Sequence, residues 1–222
     1  LRSEFATELQ NLHVRFSEMA MMVSEALEKA VRALKEHDSQ LAQQVIDRDQ
    51  LINNREIDLE KKSFEMIALQ QPVTSDLRMI ITVLKASSDL ERMGDHAVSI
   101  AQATLRLQGH APMLAVEDLI VQVHTQVAGM FQQAIQAYLR EDDQAAIAIS
   151  QQDYTVDKLI HQLNKQCIQE MKADPQYVED GTIYMLIANY LERMGDYVTN
   201  LCEWVVYLKQ GKLTDLDSKK DF

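Results

Sequence analysis

The chain has 222 residues, 46% hydrophobic and 25% charged, with 34 acidic against 22 basic side chains and a formal net charge of −12. That length holds one large domain or two small ones with proper cores, while the charge argues against nucleic acid or an anionic membrane surface as partner. No apolar stretch approaches the roughly 20 residues of a membrane span, and no signal peptide is visible.

The predicted elements are all helical. Breakers at Glu36–Ser39, Gln71–Ser75, Gly109–Pro112, Arg140–Asp143 and Asp174–Pro175 cut the chain into six long segments, and Gly211 closes the last. Segment one carries one apolar stripe through Leu9, Leu12, Phe16, Met19, Val23, Ala26, Ala30 and Leu34, at helical spacings of three and four. Segment two repeats by sevens at Val45, Ile52, Leu59 and Met66, and segment six runs Ile183, Ile187, Leu191, Met194, Val198, Leu201, Val205 and Leu208. Asp38 or Ser39, Thr74 or Ser75, and Asp142 or Asp143 are expected N-caps, and Asp174 caps ahead of Pro175. Cys167 and Cys202 lie in helical segments without CxxC spacing and read as buried thiols of a reducing cytoplasm.

The segments repeat. LERMGD occurs as Leu90–Asp95 and again as Leu191–Asp196, an offset of 101, while Asp49 falls opposite Asp153 at an offset of 104. The expected architecture is all-α, two similar three-helix bundles arising from an internal duplication, with residues 1–109 as the first and 110–222 as the second. A continuous six-helix bundle is the alternative. Helices this long with short connections pack antiparallel as bundles.

Each repeat carries acids that share a helix face, because residues i and i+4 stand about 5–6 Å apart at Cβ. Glu91 with Asp95 and Glu192 with Asp196 are such pairs on helix three of each half. On helix two stand Asp49 with Asn53 and Asp153 with Asp157. If helices two and three bring these faces together, each half presents four oxygen-bearing side chains, and converging carboxylates need a counter-charge. Oxygen donors without CxxC, HxxxH or HExxH favour hard cations: magnesium, manganese, calcium or oxidised iron. His96 follows Asp95 and is a further candidate donor, whereas His13, His37, His110, His124 and His161 read as surface or cap residues. Two plainer readings compete. In one the acids are simply solvated or paired with the adjacent Arg92 and Arg193, and in the other Gly94 and Gly195 mark close helix crossings. No Gly-rich phosphate loop, GxSxG elbow or Ser/His/Asp set is present.

The duplicated LERMGD, together with Gln71-Pro72-Val73-Thr74-Ser75-Asp76-Leu77-Arg78 entering its first copy, resembles the PhoU family over essentially the whole chain. The resemblance implies paired three-helix bundles, frequent dimerisation, and metal ions or small iron or zinc clusters at the ExxxD surfaces. It also implies a cytoplasmic, non-enzymatic regulator that links the ATPase subunit of a phosphate ABC transporter to a phosphate-sensing histidine kinase. By motif, Glu91, Asp95, Glu192 and Asp196 are the first expected ligands, with Asp49, Asn53, Asp153 and Asp157 beside them. Asn53 stands where the family more usually has Asp, which removes one charge from the first half. A metal-dependent enzyme and a purely structural dimerising bundle are the alternative functions.

Overall fold

The computed structural model describes residues 2–216. Seven α-helices follow one another: α1 (Arg2–Glu36), α2 (Ser39–Gln70), α3 (Thr74–Arg106), α4 (Leu114–Arg140), α5 (Asp143–Ser150), α6 (Asp153–Ala173) and α7 (Val178–Gln210). A 3₁₀ turn at Pro175–Tyr177 leads into the last. The apolar stripes named above are the buried faces: Val45, Ile52, Leu59 and Met66 of α2 are all interior, as are all eight stripe residues of α7.

Local chemistry sets most of the ends. Asp38 accepts from the backbone N–H groups of Gln40 and Leu41, at 3.0 and 2.9 Å, and so caps α2. Asp142 caps α5 through the Ala145 N–H, and Asp174 caps the Pro175 turn through the Gln176 N–H. Gly211 ends α7 at φ +73°, the left-handed conformation glycine adopts freely. Helix α3 differs from expectation. Its N-cap position is Val73, with no side-chain cap, and Thr74 begins the helix at φ +47°. Neither Thr74 nor Ser75 supplies the cap.

The fifth expected segment is also divided. Between α5 and α6 the Ser150 hydroxyl donates back to the Ile147 carbonyl at 2.8 Å, and the Gln152 N–H reaches Ile149 in a tightened turn. The same back-bond from Ser87 to Leu84 leaves α3 unbroken, so the serine does not by itself divide the rod.

Helices α1, α2 and α3 pack together, and α4, α5 and α6 pack on α7. The halves then meet along two seams, α3 against α7 and α1 against α4. The two LERMGD helices are therefore the central pair of the molecule. All buried apolar side chains belong to one continuous cluster spanning both halves. Cys167 and Cys202 are free and buried, and burial pushes both thiols up to about 12.

Candidate functional site

The duplicated glycines fix how closely helices two and three approach. A Cβ on Gly94 would stand 3.2 Å from two side-chain carbons of Ile52, and one on Gly195 would stand 3.6 Å from Val156. Ile52 and Val156 are themselves equivalent at the offset of 104, so both halves use the same crossing. A Cβ on Gly195 would also come within 2.8 Å of an Asp153 carboxylate oxygen. The helix-packing role of these glycines and an acidic face beside the crossing are thus one arrangement, not rivals.

In the first half, that crossing brings the acids of α2 and α3 onto a common face. The Glu91 carboxyl is pushed up to about 7, first by partial burial and then by the charges of Asp95, Glu56 and Asp49. Asp49 is raised by burial and by Asp95, and Glu56 by burial, by Glu60 and by Asp95. Mutual repulsion of this kind requires the four carboxylates to be near neighbours. Asn53 donates to Asp49 Oδ2 at 3.2 Å, which leaves Asp49 Oδ1 and Asn53 Oδ1 buried without a hydrogen-bond partner. Both atoms are acceptors, and a cation is the partner that satisfies them without a hydrogen bond.

Glu56 is the member that the sequence pattern does not reveal. It lies seven residues beyond Asp49, on the same side of α2, and its counterpart in the second half is Ile160, which is buried. It therefore lacks the duplication that marks the other acids. In the second half Asp153 is buried over Gly195, while Asp157, Glu192 and Asp196 are half-buried. Asp95, by contrast, is exposed. Among the described residues, no three His, Cys, Asp or Glu side chains stand close enough together to hold one metal ion as they are placed. The helices present the donors on one face without closing them into a ligand set.

The remaining candidates divide. Arg92 does not reach across to the acidic pair but bonds Asp89, one turn back, at 3.3 Å. His96 turns away from Asp95 and stacks on Tyr190 and Tyr197 of α7, with ring centroids 5.5 and 5.8 Å away. It belongs to the seam between halves. Four more histidines contact the other half or the connection: His13 and His124 are half-buried, against their reading as surface or cap residues, whereas His37 and His110 are exposed as that reading has them. The Tyr138 hydroxyl and His13 Nδ1 are 2.6 Å apart, and His37 stands 3.4 Å from the buried Glu117. His110, in the connection between halves, pairs with Asp180 at 2.6 Å. His124 is half-buried, with Nε2 enclosed and Glu28 of α1 nearby.

The architecture and site define a class: a duplicated helical protein whose halves share a core and each display a carboxylate-bearing face beside a glycine crossing. The PhoU domain model matches residues 16–104 and again residues 120–205. A Streptococcus pneumoniae protein described as a phosphate-specific transport system accessory protein PhoU homolog is 36% identical over 217 residues, covering 98% of this chain and 100% of that one. The crystal structure of the phosphate transport system regulatory protein PhoU from the same organism superposes with a TM-score of 0.89 at 34% identity, covering 95% of this chain and 99% of that one. PhoU from Pseudomonas aeruginosa gives a TM-score of 0.88 at 33% identity, covering 94% of this chain and 100% of that one. This chain belongs to the PhoU family.

Proposed function

We propose that this protein is a regulator of phosphate transport and phosphate-starvation signalling. The observation that carries the reading is the end-to-end match to relatives described as accessory or regulatory proteins of phosphate transport, in sequence and in fold. The protein acts in the cytoplasm, through contacts with the ATPase subunit of a phosphate ABC transporter and with a phosphate-sensing histidine kinase, and it works as a homodimer. No helix among the described residues is long and apolar enough to cross a membrane. With a net charge of −12, recruitment to an anionic membrane runs through protein partners and not through lipid.

Its role is coupling, not turnover. Hard cations at the two acidic faces are part of the same proposal: iron, manganese or magnesium, with zinc as a further option. Asp49, Asn53, Glu56, Glu91 and Asp95 would hold them in the first half, and Asp153, Asp157, Glu192 and Asp196 in the second. The donor chemistry fits, since every group offers oxygen and the two orphaned acceptors of Asp49 and Asn53 face no donor. A bound cation would supply the positive charge that lets neighbouring carboxylates stay ionised together.

Deleting the gene in its native host is the test. Phosphate-starvation genes are expected to be expressed in phosphate-rich medium, and the wild-type gene to restore repression. Unchanged, phosphate-controlled expression in the deletion strain would refute the regulatory reading.

A further inference from the structure

An unassigned feature beside the first acidic face is a cleft of about 520 Å³, floored by α3 and walled by α2 and α7. Its volume lies within the range of built ligand sites, about 300–1,000 Å³. The two walls carry aromatic side chains: Phe64 on α2, 53% exposed, and Trp204 on α7. Trp204 is held in place, because it and Asn200 hydrogen-bond the nearly buried Asp89, which Arg92 also contacts. The cleft therefore has a rigid aromatic side and an open one.

Its charge is lopsided. Of the two cations lining it, Lys85 and Arg92, Arg92 is already bonded to Asp89. On α2, Glu56 and Glu60 stand one turn apart on the face that leads to Phe64, and burial together with the Glu60 charge raises the Glu56 carboxyl. No ion pair engages Glu60 or Glu56 among the described residues. A metal ion alone would make no use of the aromatic walls, and an acidic segment would be repelled. A helix that offers Lys or Arg next to a large apolar side chain satisfies both features. Helix-in-groove recognition uses such anchors at spacings of three and four, and Arg gains further from stacking on an aromatic face.

We propose that this cleft docks a basic, amphipathic helical segment of a protein partner, with its cationic side chain at Glu60 and its apolar anchor between Phe64 and Trp204. The inference rests on the regulatory reading only for the existence of a protein partner. The acidic surface as a whole steers such a segment inward.

Trp204 is the only tryptophan of the chain, so its emission reports the cleft without labelling. The probe is a synthetic, end-blocked helical peptide with Arg and Leu four residues apart, alongside a scrambled peptide of identical composition. The expected result is a saturable change in Trp204 emission, with the scrambled peptide about tenfold weaker. Glu60→Lys and Phe64→Ala should each weaken binding about tenfold, whereas Glu4→Lys, far along α1, should leave it unchanged. Glu60 and Phe64 are exposed, so unchanged melting curves are expected to show that both variants fold. Equal binding of the scrambled peptide, or binding indifferent to both cleft variants, would overturn the proposal. So would conversion of the unliganded protein from dimer to monomer by Phe64→Ala, because a second copy of the chain would then be the occupant. The assay involves no phosphate control, so its failure and that of the regulatory reading are separate results.

Discussion

Three of the four glycines inside helices, Gly94, Gly195 and Gly129, make opposite demands, although composition treats them alike. A methyl group on Gly129 meets nothing within 4 Å, so Gly129→Ala should stabilise the protein by about 1 kcal/mol through helix propensity alone. At Gly94 the obstacle is Ile52, whose Cγ2 and Cδ1 would stand 3.2 Å away and have to give by only a few tenths of an ångström, so that same gain should roughly cancel the crowding. At Gly195 the obstacle is the Asp153 carboxylate, which is 3% exposed and has little room to move. Gly195→Ala should therefore destabilise by about 1–3 kcal/mol. Urea denaturation of the three variants orders them; a stabilised Gly195→Ala would show that Asp153 is not held over the crossing.

Glu91 gives a second residue-scale prediction. Its carboxyl titrates near 4.5 when unperturbed and is raised to about 7 in the folded protein. Between those values the folded chain holds a proton that the unfolded chain releases, so the contribution to stability is full below the lower value and is lost as pH rises through the upper one. Protein treated with a chelator should melt at progressively lower temperature as pH climbs across that window, and Glu91→Gln should flatten the trend. Identical pH profiles for the two proteins would show that Glu91 is not crowded by its neighbours. The same crowding explains what the sequence conceals here. Asp49, Glu91 and Asp95 are legible because each is repeated one half-chain later, whereas Glu56 has no repeat, only a position on the face of α2 that the fold turns toward α3.

At the scale of the element, the apolar periods of α1, α2 and α7 were sufficient to place the buried faces, because a stripe sustained over about six or seven turns tolerates one orientation only. Ends were less legible. Asp38 caps α2 by the expected chemistry, and Asp38→Ala should cost about 1 kcal/mol, read as a lower denaturation midpoint. No loss would mean that the α1–α2 turn is fixed by packing instead. The start of α3 offers Thr74 and Ser75 as caps, yet the chain enters from the extended Val73 and neither hydroxyl is used. The break between α5 and α6 is likewise hidden, since residues 143–173 form an otherwise helical run without Gly or Pro.

For the whole molecule, duplication is visible in the sequence but the joining of the halves is not. Which helices line the seams depends on tertiary pairing: LERMGD against LERMGD through α3 and α7, and His13, His37, His96, His110 and His124 each meeting the opposite half or its connection. No spacing along the chain announces such contacts. Because one apolar cluster runs through both halves, calorimetry should give a single cooperative unfolding transition, and two separated transitions would show that the halves are thermodynamically independent.

In the proposed coupling role, the two equivalent crossings offer oxygen donors to hard cations. Titration calorimetry with Mn²⁺ tests it most directly, comparing the chelator-stripped wild type with Glu91→Gln/Asp95→Asn and with Glu192→Gln/Asp196→Asn. Saturable binding at both faces, with each paired substitution removing the sites of one half, is the predicted result. Binding that is absent, or that keeps the same stoichiometry in both substituted proteins, would contradict the claim.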